Sequence, residues 1–160
     1  MHECVFCKIV KGETQCAKIW ETETHLAFLD LFPNTQGMTL VIPKQHFPSY
    51  AMEMNDDNFV SLFLAAKIVA KKIDKALKTK RTALVMEGMG INHAHIKLYP
   101  LHGLKDEWKP VETPEQLFFE RYPGYLSTKM GPKADISKLY TLAEKIRNSI
   151  ESNLKLITIK

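Results

Sequence analysis

The run "GINHAHIKLYP", residues 90–100, sets His93, His95 and Lys97 at alternate positions in a chain with six histidines. In a β-strand alternate side chains share a face. A strand over 92–100 is therefore predicted to point His93, His95, Lys97 and Tyr99 one way, and Ala94, Ile96 and Leu98 the other way, toward a core. A neutral imidazole is a nucleophile or base near neutral pH. Attack on phosphorus needs cationic or hydrogen-bonding groups around the non-bridging oxygens. Lys97 lies roughly 7 Å along the strand from His95, within reach of a phosphate or a leaving oxygen. Gly88 and Gly90 let backbone amides approach the same oxygens with no side chain in the way. Clustered ionisable groups shift one another's pKa, as functional sites do. An edge strand carrying solvated polar residues is the plainer alternative, and both readings stand at this point.

A second constellation opens the chain. "CVFC" places Cys4 and Cys7 in a C-x-x-C pair, and Cys16 completes a total of three cysteines. Three cysteines do not make a secreted disulfide framework, so the pair reads as a metal knuckle or a redox couple. Two small buried hydrophobes are the third possibility. A structural zinc site takes four sulfur or nitrogen ligands. The remaining two would come from Cys16, His2, His25, His46, His93, His95 and His102, among which spacing alone does not choose. His46 follows the strand-like "VIP", where an element end aims a ligand at a neighbour. A redox pair would want a helix N-terminus after the motif and a βαβ setting, and "CKIVKGE" shows little of either.

The elements that must hold these residues follow from periodicity. Strands are predicted over 17–21, 25–30 and 38–43. Thr22, Glu23 and Thr24 turn between the first two, and Pro33, Asn34 and Gly37 mark the loop before the third. Residues 54–80 read as a long helix capped by Asn55 or Asp56, with Phe59, Leu62, Phe63, Ala66, Val69, Ile73 and Leu77 on its apolar face. "TALVMEG" (82–88) is a fourth strand, joined to the fifth by a tight connection and antiparallel to it. Beyond Pro100 the chain turns irregular. A short helix is expected near 114–121, and a second helix after Asp135, with Ile136, Leu139, Leu142, Ala143, Ile146 and Ile150 buried. The end, "LKLITIK", is a strand or a loose tail.

The bulk numbers agree with an ordinary folded chain: 160 residues, 45% hydrophobic, 25% charged, net charge +4. They predict one domain with a single core. The mild basic excess suits a phosphate site and gives little reason to expect a nucleic-acid partner. No apolar run reaches the ~20 residues of a membrane span. The N-terminus lacks a signal peptide's apolar core and cleavage site. We therefore expect a cytoplasmic protein with no membrane partner.

Taken together and in order, "CVFCKIVKGE", "LAFLD", "GMTLVIPKQH" and "EGMGINHAHIKLYP" resemble the histidine triad (HIT) superfamily of nucleotide hydrolases and transferases. The likeness covers about residues 4–100. It implies an α+β, HIT-like fold: an antiparallel five-stranded sheet with a long helix packed on it. That domain would take residues 1–104, with 105–160 a C-terminal helical extension packed on the same domain. The resemblance also implies a homodimer that binds a purine nucleotide. By the family motif His-x-His-x-His, His95 would attack the α-phosphorus and carry a nucleotidyl-imidazole intermediate. The backbone carbonyl of His93 would orient its ring. Asp30 resembles the residue that binds the ribose hydroxyls, and Phe6, Ile9 and Phe28 the apolar slot for the base, or else plain core. Relatives with the N-terminal C-x-x-C hold structural Zn2+ with residues that match Cys4, Cys7, His46 and His93.

Two positions depart from the pattern. Met38 stands where many relatives have histidine, and Lys97 stands in place of the third triad histidine. Lysine keeps the positive charge but is a poorer proton donor near pH 7. The resemblance thus implies a hydrolase of dinucleoside polyphosphates or nucleoside phosphoramidates. A nucleotidyltransferase or phosphorylase, or a catalytically weak nucleotide-binding module, is the alternative.

Overall fold

Apolar residues fill both faces of the central strands, and this decides the architecture. The computed structural model describes residues 4–106, 109, 114–127 and 131–142. The chain forms two compact units, Met1–Lys109 and Pro110–Lys160. In the first unit the elements run α1 (Val5–Val10), β1 (Lys18–Glu21), β2 (His25–Leu29), β3 (Thr39–Pro43), α2 (Asp56–Leu77), β4 (Thr82–Val85) and β5 (Ile96–Pro100). The strands form one antiparallel sheet in the order β1-β2-β3-β5-β4. The α+β class and the five-stranded antiparallel sheet are as the sequence implied.

Alternation sorts the side chains between two cores. Ala27, Val41, Ile96 and Leu98 face α2 and pack with Leu62, Ala65, Ala66, Val69 and Ile73. Leu26, Phe28, Leu40 and Ile42 turn to the opposite face and pack with Phe6 of α1. β2 and β3 are therefore buried almost throughout, as strands covered on both faces must be.

α2 starts where expected. The Asn55 side chain accepts a hydrogen bond from the Asn58 amide at 3.0 Å, and Asp56 and Asp57 meet the positive end of the helix dipole. At the other end Lys78 adopts a left-handed conformation (φ 55°). The Asp74 carboxylate accepts from the Thr79 and Thr82 hydroxyls at 2.8 and 2.7 Å, which ties the helix end to the start of β4. Leu62 is wholly buried at the centre of this interface. Leu62→Ala is expected to destabilise the protein by about 2–5 kcal/mol, read as a lowered denaturation midpoint with unchanged slope.

Four expectations need correction. First, the fifth strand begins at Ile96, so His93, Ala94 and His95 precede the ladder. All three are buried, and none forms a solvated strand face. The Ala94 amide donates to the Phe47 carbonyl instead of to a strand partner. Second, β4 stops at Val85, and residues 86–95 form a long connection where a tight turn was predicted, with Gly88 and Gly90 at positive φ. Third, the C-x-x-C pair does carry a helix: Cys4 is the N-cap of α1. Six residues are too few to hold a helix by propensity, and burial of Phe6 fixes it. Fourth, within the second unit residues 115–119 are not helical. Pro114 and Pro123 bracket too short a run to nucleate a helix.

The helix after Asp135 is present over 136–142, and its cap is as expected. The Asp135 carboxylate accepts from the Ser137 amide at 2.9 Å. Its predicted buried residues Ile136, Leu139 and Leu142 are exposed, because periodicity marks an apolar face without supplying a surface to cover it. Ala143, Ile146, Ile150 and the terminal "LKLITIK" lie outside the described residues.

Candidate active site and metal centre

The α1 side of the sheet carries the site. Register places Phe28 opposite Leu40, Leu40 opposite Lys97, and Lys97 opposite Val85, so one row crosses β2, β3, β5 and β4 on that face. Immediately before β5, the His95 ring meets Phe6 edge-on at 5.6 Å, and Phe6 meets Phe28 the same way at 5.6 Å. The structure thus brings His95, Phe6 and Phe28 together around α1.

His95 is held in one tautomer. Its Nδ1–H donates to the His93 carbonyl at 2.7 Å, and a carbonyl only accepts. Nε2 is left with its lone pair, the form that acts as a nucleophile or base. Burial holds the ring's pKa below the ordinary histidine value. The His93 carbonyl pulls it the other way, and the Lys97 charge adds to the lowering. The lone pair is therefore available at neutral pH.

Lys97 does not stand alone. Its Nζ donates to Glu87 Oε2 at 3.3 Å, with both side chains mostly buried. Sequence reasoning missed Glu87. Only the pairing of β4 with β5 brings the 87 position beside Lys97, and an acidic residue ending an apolar strand is no signal by itself. Glu87 and Asp30 both act electrostatically on His95. Asp30 follows β2, and its Oδ1 accepts the Phe32 amide at 2.8 Å.

The apolar candidates divide. Phe6 and Phe28 are buried, while Ile9 is partly buried and lines a hollow of about 330 Å³ with Val10, Cys16 and Leu26. The two glycines divide as well. A Cβ on Gly88 would stand 3.0 Å from the Ser49 carbonyl oxygen, whereas Gly90 borders open space.

The metal candidates converge. The ligand atoms of Cys4, Cys7, His46 and His93 all lie within 4.8 Å of one another. Sulfur-to-nitrogen distances are 3.5 Å for Cys4 to His93, 3.4 Å for Cys7 to His46 and 3.6 Å for Cys7 to His93. A tetrahedral ion with bonds of about 2.3 Å to sulfur and about 2.0 Å to nitrogen sets those edges at roughly 3.5 Å. The hydrogen bonding agrees. His93 Nε2–H donates to the Pro43 carbonyl at 2.9 Å, which leaves Nδ1 as the ligand. These four residues could hold a metal ion. The other candidates lie apart: His25 bonds Thr24, His102 bonds the Gln36 carbonyl, and Cys16 lines the hollow. His2 lies outside the described residues.

An antiparallel α+β sheet with a buried histidine, a neighbouring lysine and a four-ligand cluster defines a class of small site-bearing domains. The HIT domain family matches residues 11–103, more than half of the chain, and this protein belongs to it. The solved structure of SMU.412c from Streptococcus mutans UA159 is similar with a TM-score of 0.68 at 32% identity, covering 94% of this chain and 87% of that one. Adenosine 5'-monophosphoramidase hnt1 of Schizosaccharomyces pombe is 44% identical over 70 residues, 44% of this chain. Adenylylsulfatase HINT3 of Arabidopsis thaliana is 32% identical over 105 residues, 62% of this chain. The matched segments span about half the length of these two enzymes, 52% in each case.

Proposed function

We propose that the protein hydrolyses nucleotides at the α-phosphorus, on dinucleoside polyphosphates or nucleoside phosphoramidates, through a nucleotidyl intermediate on His95. The observation that carries this is the hydrogen bond from His95 Nδ1 to the His93 carbonyl, which fixes the free lone pair on Nε2. The bond to phosphorus forms there as the bond to the departing polyphosphate or amine breaks, and water then displaces the imidazole. Two relatives bear names for cleavage next to an adenylyl phosphorus, one at a nitrogen and one at a sulfate, which supports the reaction class. Rapidly quenched protein mixed with diadenosine tetraphosphate is expected to gain the mass of one AMP in intact mass spectrometry. Absence of both adduct and released AMP across the two substrate classes would leave a nucleotide-binding module as the better reading.

In the same reading Asp30 binds the ribose hydroxyls, Phe6, Ile9 and Phe28 border the base, and Gly88 and Gly90 flank the phosphates. Asp30→Asn is expected to raise KM roughly 10- to 100-fold with little change in kcat, the loss of one charged hydrogen bond. A KM within twofold of wild type would take Asp30 out of the nucleotide site. The cysteine and histidine cluster takes Zn2+ in a structural role, as its two sulfur and two nitrogen donors suit. Val60, Leu64 and Ile68 leave an exposed apolar stripe on α2, which supports a homodimer.

Lys97 favours a second reading. A charge without a ready proton suits a nucleotidyltransferase or phosphorylase, in which phosphate or another acceptor takes the nucleotidyl group. Product analysis with added phosphate separates the two.

A further inference from the structure

The charged groups acting on His95 are Lys97 on β5, Glu87 on the connection from β4, and Asp30 after β2. Lys97 and Glu87 form an ion pair with side chains 23% and 14% exposed. A lysine stem has four rotatable bonds, and an ammonium placed by the stem alone samples many positions. The strand register fixes the Lys97 backbone opposite Leu40 and Val85, and Glu87 fixes its tip.

We propose that Glu87 is a positioning residue which, through Lys97, makes the site selective for nucleotide anhydrides over nucleotide amidates. The inference rests on the nucleotidyl-His95 reading and names the substrate class within it. In an anhydride, His95 Nε2 forms the bond to the α-phosphorus and the bond from phosphorus to the bridging oxygen breaks. The electron pair stays on that oxygen, and the phosphate or polyphosphate departs as an anion. No proton is needed, and a fixed ammonium offsets the developing charge. Water then attacks phosphorus, the pair of the P–N bond returns to the imidazole, and the water proton leaves to solvent. In an amidate the breaking bond leaves its pair on nitrogen, which must take up a proton as it departs. An imidazolium supplies that proton readily near pH 7. A lysine ammonium is in general a weaker acid than an imidazolium. The third histidine of the motif would serve both substrates, whereas the Glu87–Lys97 pair serves the first.

The test compares diadenosine tetraphosphate with adenosine 5'-phosphoramidate on the full chain. Wild type is expected to prefer the anhydride in kcat/KM. Glu87→Gln should lower kcat on the anhydride roughly tenfold with KM little changed, since it misplaces a charge that acts in the transition state. It should leave the slow amidate reaction within about twofold, an expectation from the absence of that charge's role there. Glu87→Asp should recover part of the loss, and it replaces the Gln variant should that one fail to fold. In a Lys97→Gln background Glu87→Gln should cost nothing further, the non-additivity of a pair acting as one unit. Lys97→His should raise amidate turnover. Equal losses on both substrates, additive losses in the double variant, or a wild type that prefers the amidate would overturn the proposal. A wild type that forms no AMP adduct with either substrate removes the His95 reading itself, and this inference with it. An adduct with equal losses removes only the inference.

Discussion

His95→Ala is expected to abolish the AMP adduct and to lower turnover on diadenosine tetraphosphate by on the order of 10⁴ or more, the scale seen when a covalent catalyst's nucleophile is removed. Among the described residues no other histidine at the site is free to duplicate it. His93 Nε2 is committed to the Pro43 carbonyl, and its Nδ1 faces the two sulfurs. His95→Ala is also a cleaner substitution than His93→Ala. The carbonyl that orients His95 belongs to the backbone of residue 93, so the variant leaves the metal cluster and its donors in place. Loss of a buried ring against Phe6 leaves a cavity, and a lowered melting temperature is expected alongside. Single-turnover rates on folded protein separate the two effects. Adduct formation by the alanine variant would place the nucleophile elsewhere.

The second large effect concerns the metal. Purified protein should carry one zinc per chain by elemental analysis. With the ion present at about a thousand times its Kd, binding to the native state contributes about 4 kcal/mol. Stripping it with a chelator should therefore lower the melting temperature by roughly 10 °C. Cys7→Ser should do the same without a chelator. The variant should also lose activity, because His93 both offers Nδ1 to the cluster and holds His95 through its carbonyl. Equal melting points for wild type and Cys7→Ser, with no zinc in either, would show that the cluster holds no ion.

Much of this was legible in the sequence, and the exceptions share a cause. The long helix announced its cap and its apolar stripe. β2 and β3 were visible as short apolar runs between turn residues. The cluster of Cys4, Cys7, His46 and His93 was not legible from spacing, since seven candidates competed for two places. Resemblance singled out the set, and the geometry brings the same four together. The misreading of residues 92–95 came from extending a period-2 pattern past the end of its ladder. Alternation in "NHAHIKLYP" is real, but hydrogen bonding to Phe47 takes over at Ala94, and both histidines turn inward. α1 was invisible because tertiary burial, not propensity, makes it. Glu87 was invisible because its partner is ten residues away along the chain and adjacent only across two strands. Local patterns report local structure, and the pairings that build a site are not local.

The four-residue cysteine and histidine cluster also sets a schedule for making the protein. Cys7 precedes His93 by 86 residues, and Cys4 precedes it by 89. At about 5–20 residues per second, a ribosome takes roughly 4–17 s to deliver His93 after the thiols have emerged. Until then the knuckle has no fourth ligand, and His95, which follows by two residues, has no carbonyl to hold it. In the proposed reading, the ring that attacks phosphorus is armed by the last ligand to arrive.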